Sequence, residues 1–126
     1  MSVLVDTSVW VDHFRKHNSA LELLMLQDDV LTHPMVIAEI ACGTPPSPRL
    51  KTLEDLDTLR QVRQASVAEV RDLIERDSLF GMGCGFVDVT LIASTLITPS
   101  ARLWTKDRRL LELAERYGVA YQTRAH

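Results

Sequence analysis

Long apolar runs are missing from this chain: nowhere do about 18 uncharged apolar residues follow one another, as a membrane-spanning helix would need. The opening MSVLVDTSVW also lacks a cationic stretch leading into an extended apolar segment, so the expectation is a soluble, unexported protein of the cytoplasm that does not engage a membrane. Cysteine is scarce. Cys42 and Cys84 stand alone, with no C-x-x-C spacing and no Cys/His cluster, which argues against a zinc site or a disulfide framework and suits a reducing compartment. Positive charge is not in excess either: 14 Lys and Arg against 17 Asp and Glu leave a formal net charge of -3. That weighs against a simple module that binds nucleic acid by neutralising phosphates. It leaves room for an enzyme whose carboxylates collect a divalent cation, which then supplies the positive field.

What is present fits a single domain spanning residues 1–126, with 46% apolar residues, enough to bury a core without external staples. Ser2 to Val5 is a short apolar run stopping at Asp6, the pattern of a buried parallel strand. Thr7 or Ser8 is positioned to cap a helix running to about Lys16, and Ser19 with Glu22 suggests a capping box ahead of Leu21, Leu24 and Met25. Val30 and Leu31 predict a second strand, Pro34 to Cys42 a helix closed by Gly43, and Thr44 to Arg49, with three prolines, a loop. Leu53, Leu56 and Leu59 predict a helix from Leu50 to about Val62, and Ser66 with Glu69 begins another. Gly81, Gly83 and Gly85 break the pattern before a largely apolar helix, Phe86 to about Ile97. Arg102 to Thr105 then reads as a strand, Asp107 to Tyr117 as a charged helix stopped by Gly118, and Val119 to Gln122 as a last strand. Alternation of short strands and helices predicts an α/β fold, a central parallel sheet with helices on both faces.

In such sheets functional residues gather where the chain leaves the carboxyl ends of strands. Asp6 and Asp107 occupy two such ends, and for either one helix capping is a sufficient structural explanation when it is taken alone. Glu39 is the only ionised side chain between Thr32 and Thr44, and Asp88 is the only charge in its apolar helix. A carboxylate buried without partners costs several kcal/mol, so Glu39 sits on an exposed stripe or meets a cation, while Asp88, near the first turn of its helix, could also be favoured by the backbone N–H groups and dipole there. Together the four suggest a site for Mg²⁺ or Mn²⁺, ions that prefer carboxylate and water oxygens and that would relieve repulsion between converging acids. The cations Arg102, Lys106, Arg108 and Arg109 nearby in sequence are candidate phosphate contacts, with a solvated helix terminus as the alternative. His13, His17, His33 and His126 are scattered and read as surface or capping residues.

Four fragments, V-D-T-S-V-W from Val5, I-A-E-I from Ile37, G-F-V-D-V-T-L-I-A-S from Gly85 and W-T-K-D-R-R-L from Trp104, resemble in order and spacing the PIN-domain ribonucleases, in their VapC-like toxin branch. The resemblance places the family's acids on Asp6, Glu39, Asp88 and Asp107 and its supporting hydroxyls on Thr7, Ser8 and Thr105. It implies a PIN-like fold, cleavage of RNA dependent on Mg²⁺ or Mn²⁺, a homodimer, and inhibition by a co-expressed antitoxin of a toxin-antitoxin pair. Where some relatives carry a further acid after the last Asp, this chain has Arg108 and Arg109. Two other readings stand beside it. One is a catalytically degenerate PIN fold acting as an RNA-binding or scaffold module. The other is an aspartate-based phosphatase, for which Ser8 stands where a second Asp would be wanted.

Overall fold

Strand β1 (Ser2–Val5) has Val3, Leu4 and Val5 completely buried in the computed structural model, which describes residues 1–123. Successive strand residues point to opposite faces, so a fully buried run means that the sheet is covered on both sides. Chain order continues with α1 (Thr7–Arg15), α2 (Ser19–Leu26), β2 (Val30–Thr32), α3 (Pro34–Cys42), α4 (Arg49–Asp57) and β3 (Arg60–Gln61). It closes with α5 (Val67–Asp77), α6 (Phe86–Leu96), β4 (Ala101–Trp104) and α7 (Arg108–Arg116). All strand pairs are parallel, in the order β3-β2-β1-β4. From β1 the chain winds outward through β2 to β3, then returns to place β4 on the other side of β1. The order therefore reverses between β1 and β4, and at such a switch point the departing loops diverge and leave a crevice.

Helix starts follow local chemistry, with two corrections to the sequence reading. Helix α1 is capped by Asp6, whose carboxylate accepts from Ser8 N–H, and not by Thr7 or Ser8. Helix α2 is capped by Asn18, which accepts from Leu21 N–H. Glu22 does not close a box with Ser19 but pairs with the His17 ring. The box at Ser66 and Glu69 forms as expected, and His33 caps α3 ahead of Pro34 through Nδ1. His13 accepts from Asn18 N–H, and His126 lies outside the described residues.

The expected helix from Leu50 to Val62 divides into α4, which begins at Arg49, and the edge strand β3. Leu53, Leu56 and Leu59 keep helical spacing through the turn, and a two-residue exposed strand is too short to show alternation. The last strand is reduced to one parallel bridge, Leu103 to Ala120. Gly118, at φ +69°, turns the chain after α7, so that Val119 O and Tyr121 N–H bond only to Leu103.

Helix α6 is the innermost: Val89 to Thr95 are all buried. Its buried hydroxyls are satisfied locally, Thr90 donating to Phe86 O and Thr95 to Leu91 O, while Ser94 accepts from Ala65 N–H. Helix α7 secures the segment between α5 and α6 from outside, with Arg116 donating to Asp77 O and Tyr117 O–H to the Asp77 carboxylate.

The Arg76 guanidinium, and after it the Tyr117 hydroxyl, hold the Asp77 carboxyl at about 2 against an ordinary 3.8. A carboxyl depressed by folding contributes stability that is complete above its unfolded value and is lost as pH falls through the folded one. Tyr117→Phe is expected to melt below wild type near neutrality. The gap should close as pH drops from about 3.8 toward about 2, which paired thermal melts over that range would show.

Candidate active site

Asp6 and Asp107 leave the carboxyl ends of β1 and β4, the two strands that flank the switch point. Asp6 is 6% exposed, and a carboxylate so enclosed needs donors. Its Oδ2 receives three: the Ser8 hydroxyl at 2.7 Å, the Thr105 hydroxyl at 2.8 Å and Ser8 N–H at 3.4 Å. The same hydroxyl oxygens accept in turn, Ser8 Oγ from Lys106 N–H at 2.9 Å and Thr105 Oγ1 from Asp107 N–H at 3.0 Å. This small network ties the turn after β4 to the turn after β1. Among the described residues no donor reaches Asp6 Oδ1, and that oxygen is not among the sealed, unpartnered polar atoms.

Asp107 caps α7, accepting from Leu110 N–H at 3.0 Å, and is exposed. The capping explanation therefore holds for both strand-end acids, and holds together with their nearness to the other two. Glu39, exposed on α3, accepts from the Thr7 hydroxyl at 2.6 Å across 32 residues of sequence. Asp88 stands in the first turn of α6, half-buried because the helix behind it is interior. Burial, and after it the negative charges of Asp6, Asp107 and Glu39, pushes its carboxyl up, against the opposing effect of the Gly85 N–H. Four acids from four elements thus share one electrostatic neighbourhood, and the hydroxyls of Thr7, Ser8 and Thr105 orient two of them.

The acids are splayed. Among the described residues no three Asp, Glu, His or Cys side chains are gathered closely enough to hold a metal ion directly. Like charges held apart by their own repulsion have this arrangement, and Mg²⁺ commonly takes one or two carboxylates and keeps several waters. An all-oxygen donor set with an open Asp6 Oδ1 fits such an ion. A groove of about 370 Å³ between α5 and α6, floored by Leu73, Ala93, Leu96 and Ile97, contains none of the four acids. Asp6 and Asp107 lie instead at the carboxyl ends of β1 and β4.

The four candidate cations separate in space. Arg102 lies beside Ser100 and Gly118 at the amino edge of β4 and donates to Gly118 O at 3.0 Å. Three residues of extended chain carry it about 10 Å back from Thr105, so it does not share the acids' end of the sheet as sequence proximity suggested. Lys106 pairs with Asp12 at 2.8 Å and Arg108 with Glu112 at 3.4 Å. Arg109 has no carboxylate partner among the described residues. Sequence reasoning also passed over Cys84, whose thiol is pushed up by burial first and then by Asp88 and Asp107, with Arg109 opposing. Its place within the glycine cluster was the available signal.

A parallel sheet that reverses its order leaves a crevice at the switch point, the usual place for a ligand. The chain belongs to the PIN domain family, whose sequence pattern matches residues 3–116. It is 40% identical over 118 residues to Ribonuclease VapC32 of Mycobacterium tuberculosis strain CDC 1551 / Oshkosh and, to the same extent, to Ribonuclease VapC32 of strain ATCC 25618 / H37Rv. Each alignment covers 94% of this chain and 94% of the relative.

Two stability effects follow from the site. Thr105→Val removes the donor to buried Asp6 and the acceptor of Asp107 N–H, and is expected to cost about 1–3 kcal/mol in denaturant unfolding. Asp88→Asn should do the reverse in metal-free buffer. Folding raises the Asp88 carboxyl, so the fold is penalised once pH exceeds its pKa and the group ionises; the neutral amide escapes that penalty. A higher melting temperature at neutral pH, converging with wild type in acid, is the expected result.

Proposed function

We propose that this protein is a divalent-metal-dependent endoribonuclease and the toxin of a toxin-antitoxin pair. The carrying observation is that Asp6, Asp107 and Glu39 all act on the half-buried Asp88 carboxyl, with no cation of the protein paired to any of the four among the described residues. Membership of the PIN domain family and 40% identity to Ribonuclease VapC32 support the RNA substrate.

Asp6, Asp88 and Asp107 would hold Mg²⁺ or Mn²⁺, with Glu39 acting directly or through water. A divalent ion in this setting polarises a phosphodiester and lowers the pKa of a bound water. The chain's own contribution is orientation. Ser8 and Thr105 fix Asp6 Oδ2 and leave Oδ1 without a protein donor, and the Thr7 hydroxyl holds Glu39 on its exposed side of α3. Buried α6 prevents Asp88 from moving away from its neighbours. Such fixed placement matters because an attacking water must be aligned with the leaving oxygen.

An acidic crevice of this kind suits an inhibitory partner that presents Arg or Lys, since guanidinium-carboxylate bonds are strong and directional. A cognate antitoxin with a basic segment, and a homodimer as the working assembly in the cytoplasm, complete the proposal. No helix among the described residues is long and apolar enough to cross a membrane.

Cleavage of total cellular RNA in Mn²⁺ should be abolished by EDTA and by Asp88→Asn. In thermal melts wild type should gain about 2.7 kcal/mol when free metal is 100 times its dissociation constant, provided that the unfolded chain binds little; Asp6→Asn should gain less. Cleavage that persists in EDTA would overturn the metal requirement, and an equal metal-induced rise in both proteins would remove Asp6 from the ligand set.

A further inference from the structure

Arg109 is held in an unusual way for a surface arginine. Its guanidinium reaches the backbone of Gly83, with Nη1 3.4 Å from Gly83 O, a long hydrogen bond. A methyl group on Gly83 would stand 2.7 Å from Nη1, 3.0 Å from Cζ and 3.1 Å from Cδ of that side chain. Gly83 also has φ +83°, a conformation open to glycine at little cost. The side chain therefore crosses from the amino end of α7, two residues after Asp107, to the loop that enters α6, five residues before Asp88.

Its charge is uncompensated. Lys106 and Arg108 are answered by Asp12 and Glu112, whereas Arg109 has no acidic partner among the described residues. Cys84, next to Gly83, feels Asp88, Asp107 and Glu112 as negative neighbours and Arg109 as a positive one, so Arg109 and the acids act on the same loop. An arginine presents planar, directed donors suited to phosphate, and here one of them already rests on the Gly83 carbonyl.

We propose that Arg109 is the substrate-binding residue that grips an RNA phosphate beside the carboxylates, and that Gly83 is the positioning residue that presets it. The inference rests on the ribonuclease reading of the same site and adds which cation meets the backbone. It also gives the second glycine of the cluster a reason: any side chain there would displace the guanidinium.

The test uses a fluorescein-labelled pool of mixed-sequence single-stranded RNA, bound without divalent metal so that it stays intact, with anisotropy followed across a salt series. Arg109→Ala should weaken binding and lower the magnitude of the log-log salt slope by about 0.7, the loss expected for one contact on a single strand. Arg108→Ala should lower it by less, its charge being already paired. Arg109→Lys keeps the charge but loses the guanidinium's contact with Gly83, so it should retain the slope while slowing Mn²⁺-dependent cleavage. Gly83→Ala should weaken binding in wild type by clearly more than in an Arg109→Ala background, where only the strain of its positive φ remains.

A slope unchanged by Arg109→Ala, or lowered equally by Arg108→Ala, would overturn the phosphate contact. Loss of the slope in Arg109→Lys, with both proteins melting as wild type does, would reduce Arg109 to a brace for the loop. Additive losses in the double variant would show that Gly83 does not act through Arg109. If wild type binds the pool but cleaves no RNA in Mn²⁺, the ribonuclease reading fails while the Arg109 contact is still decided by the slopes.

Discussion

Repulsion among carboxylates is the constraint around which this small domain is arranged. At Asp88, the half-buried member, burial first and then the charges of Asp6, Asp107 and Glu39 disfavour the ionised form. The fold tolerates the arrangement by distributing the acids over separate elements and by giving the most enclosed one, Asp6, strong donors. Two short hydroxyl bonds to Oδ2 offset its burial, and their oxygens accept backbone N–H groups from the β4 turn. Electrostatic frustration at the site is thus coupled to the packing of the sheet that carries it, a form of the stability-function trade-off.

The same economy extends to the helix ends. Asp6 and Asp107 are N-caps by geometry, each accepting a backbone N–H of the helix it precedes. Capping uses one oxygen of a carboxylate and fixes the direction of the other, so a cap at the carboxyl end of a strand becomes a preset ligand when a second strand does likewise beside it. Capping and ligation are compatible uses of one side chain, and choosing between them from sequence poses a false alternative. On the outer side, α7 likewise serves two ends at once, with Arg116 and Tyr117 holding the end of α5 while Arg109 crosses to the glycine loop.

Much of the fold was legible residue by residue. The buried strand ending at Asp6, the proline-led helix carrying Glu39, the apolar helix behind Asp88 and the turn at Gly118 each have a local cause, and each appears where expected. Failures came where tertiary packing overrides local pattern. Leu59 keeps the helical rhythm of Leu53 and Leu56, yet the chain has already turned to pair Arg60 and Gln61 with β2. Asn18 wins the capping position over Ser19 because the end of α1 sets where α2 can begin, with His13 accepting Asn18 N–H and Asn18 accepting Leu21 N–H.

The identity of the four acids, their oxygen-only chemistry and the PIN resemblance were properties of the sequence by itself, because strand ends and lone charges in apolar helices are local features. Their mutual nearness was not, since it depends on the strand order that places β4 beside β1 across nearly the whole length of the chain. Sequence adjacency grouped Arg102 with Arg109. Extended chain separates residues by more than about 3 Å each, so β4 carries Arg102 to the opposite edge. Arg109 instead reaches the Gly83 carbonyl, and that contact between residues 26 apart exists only once the chain has folded.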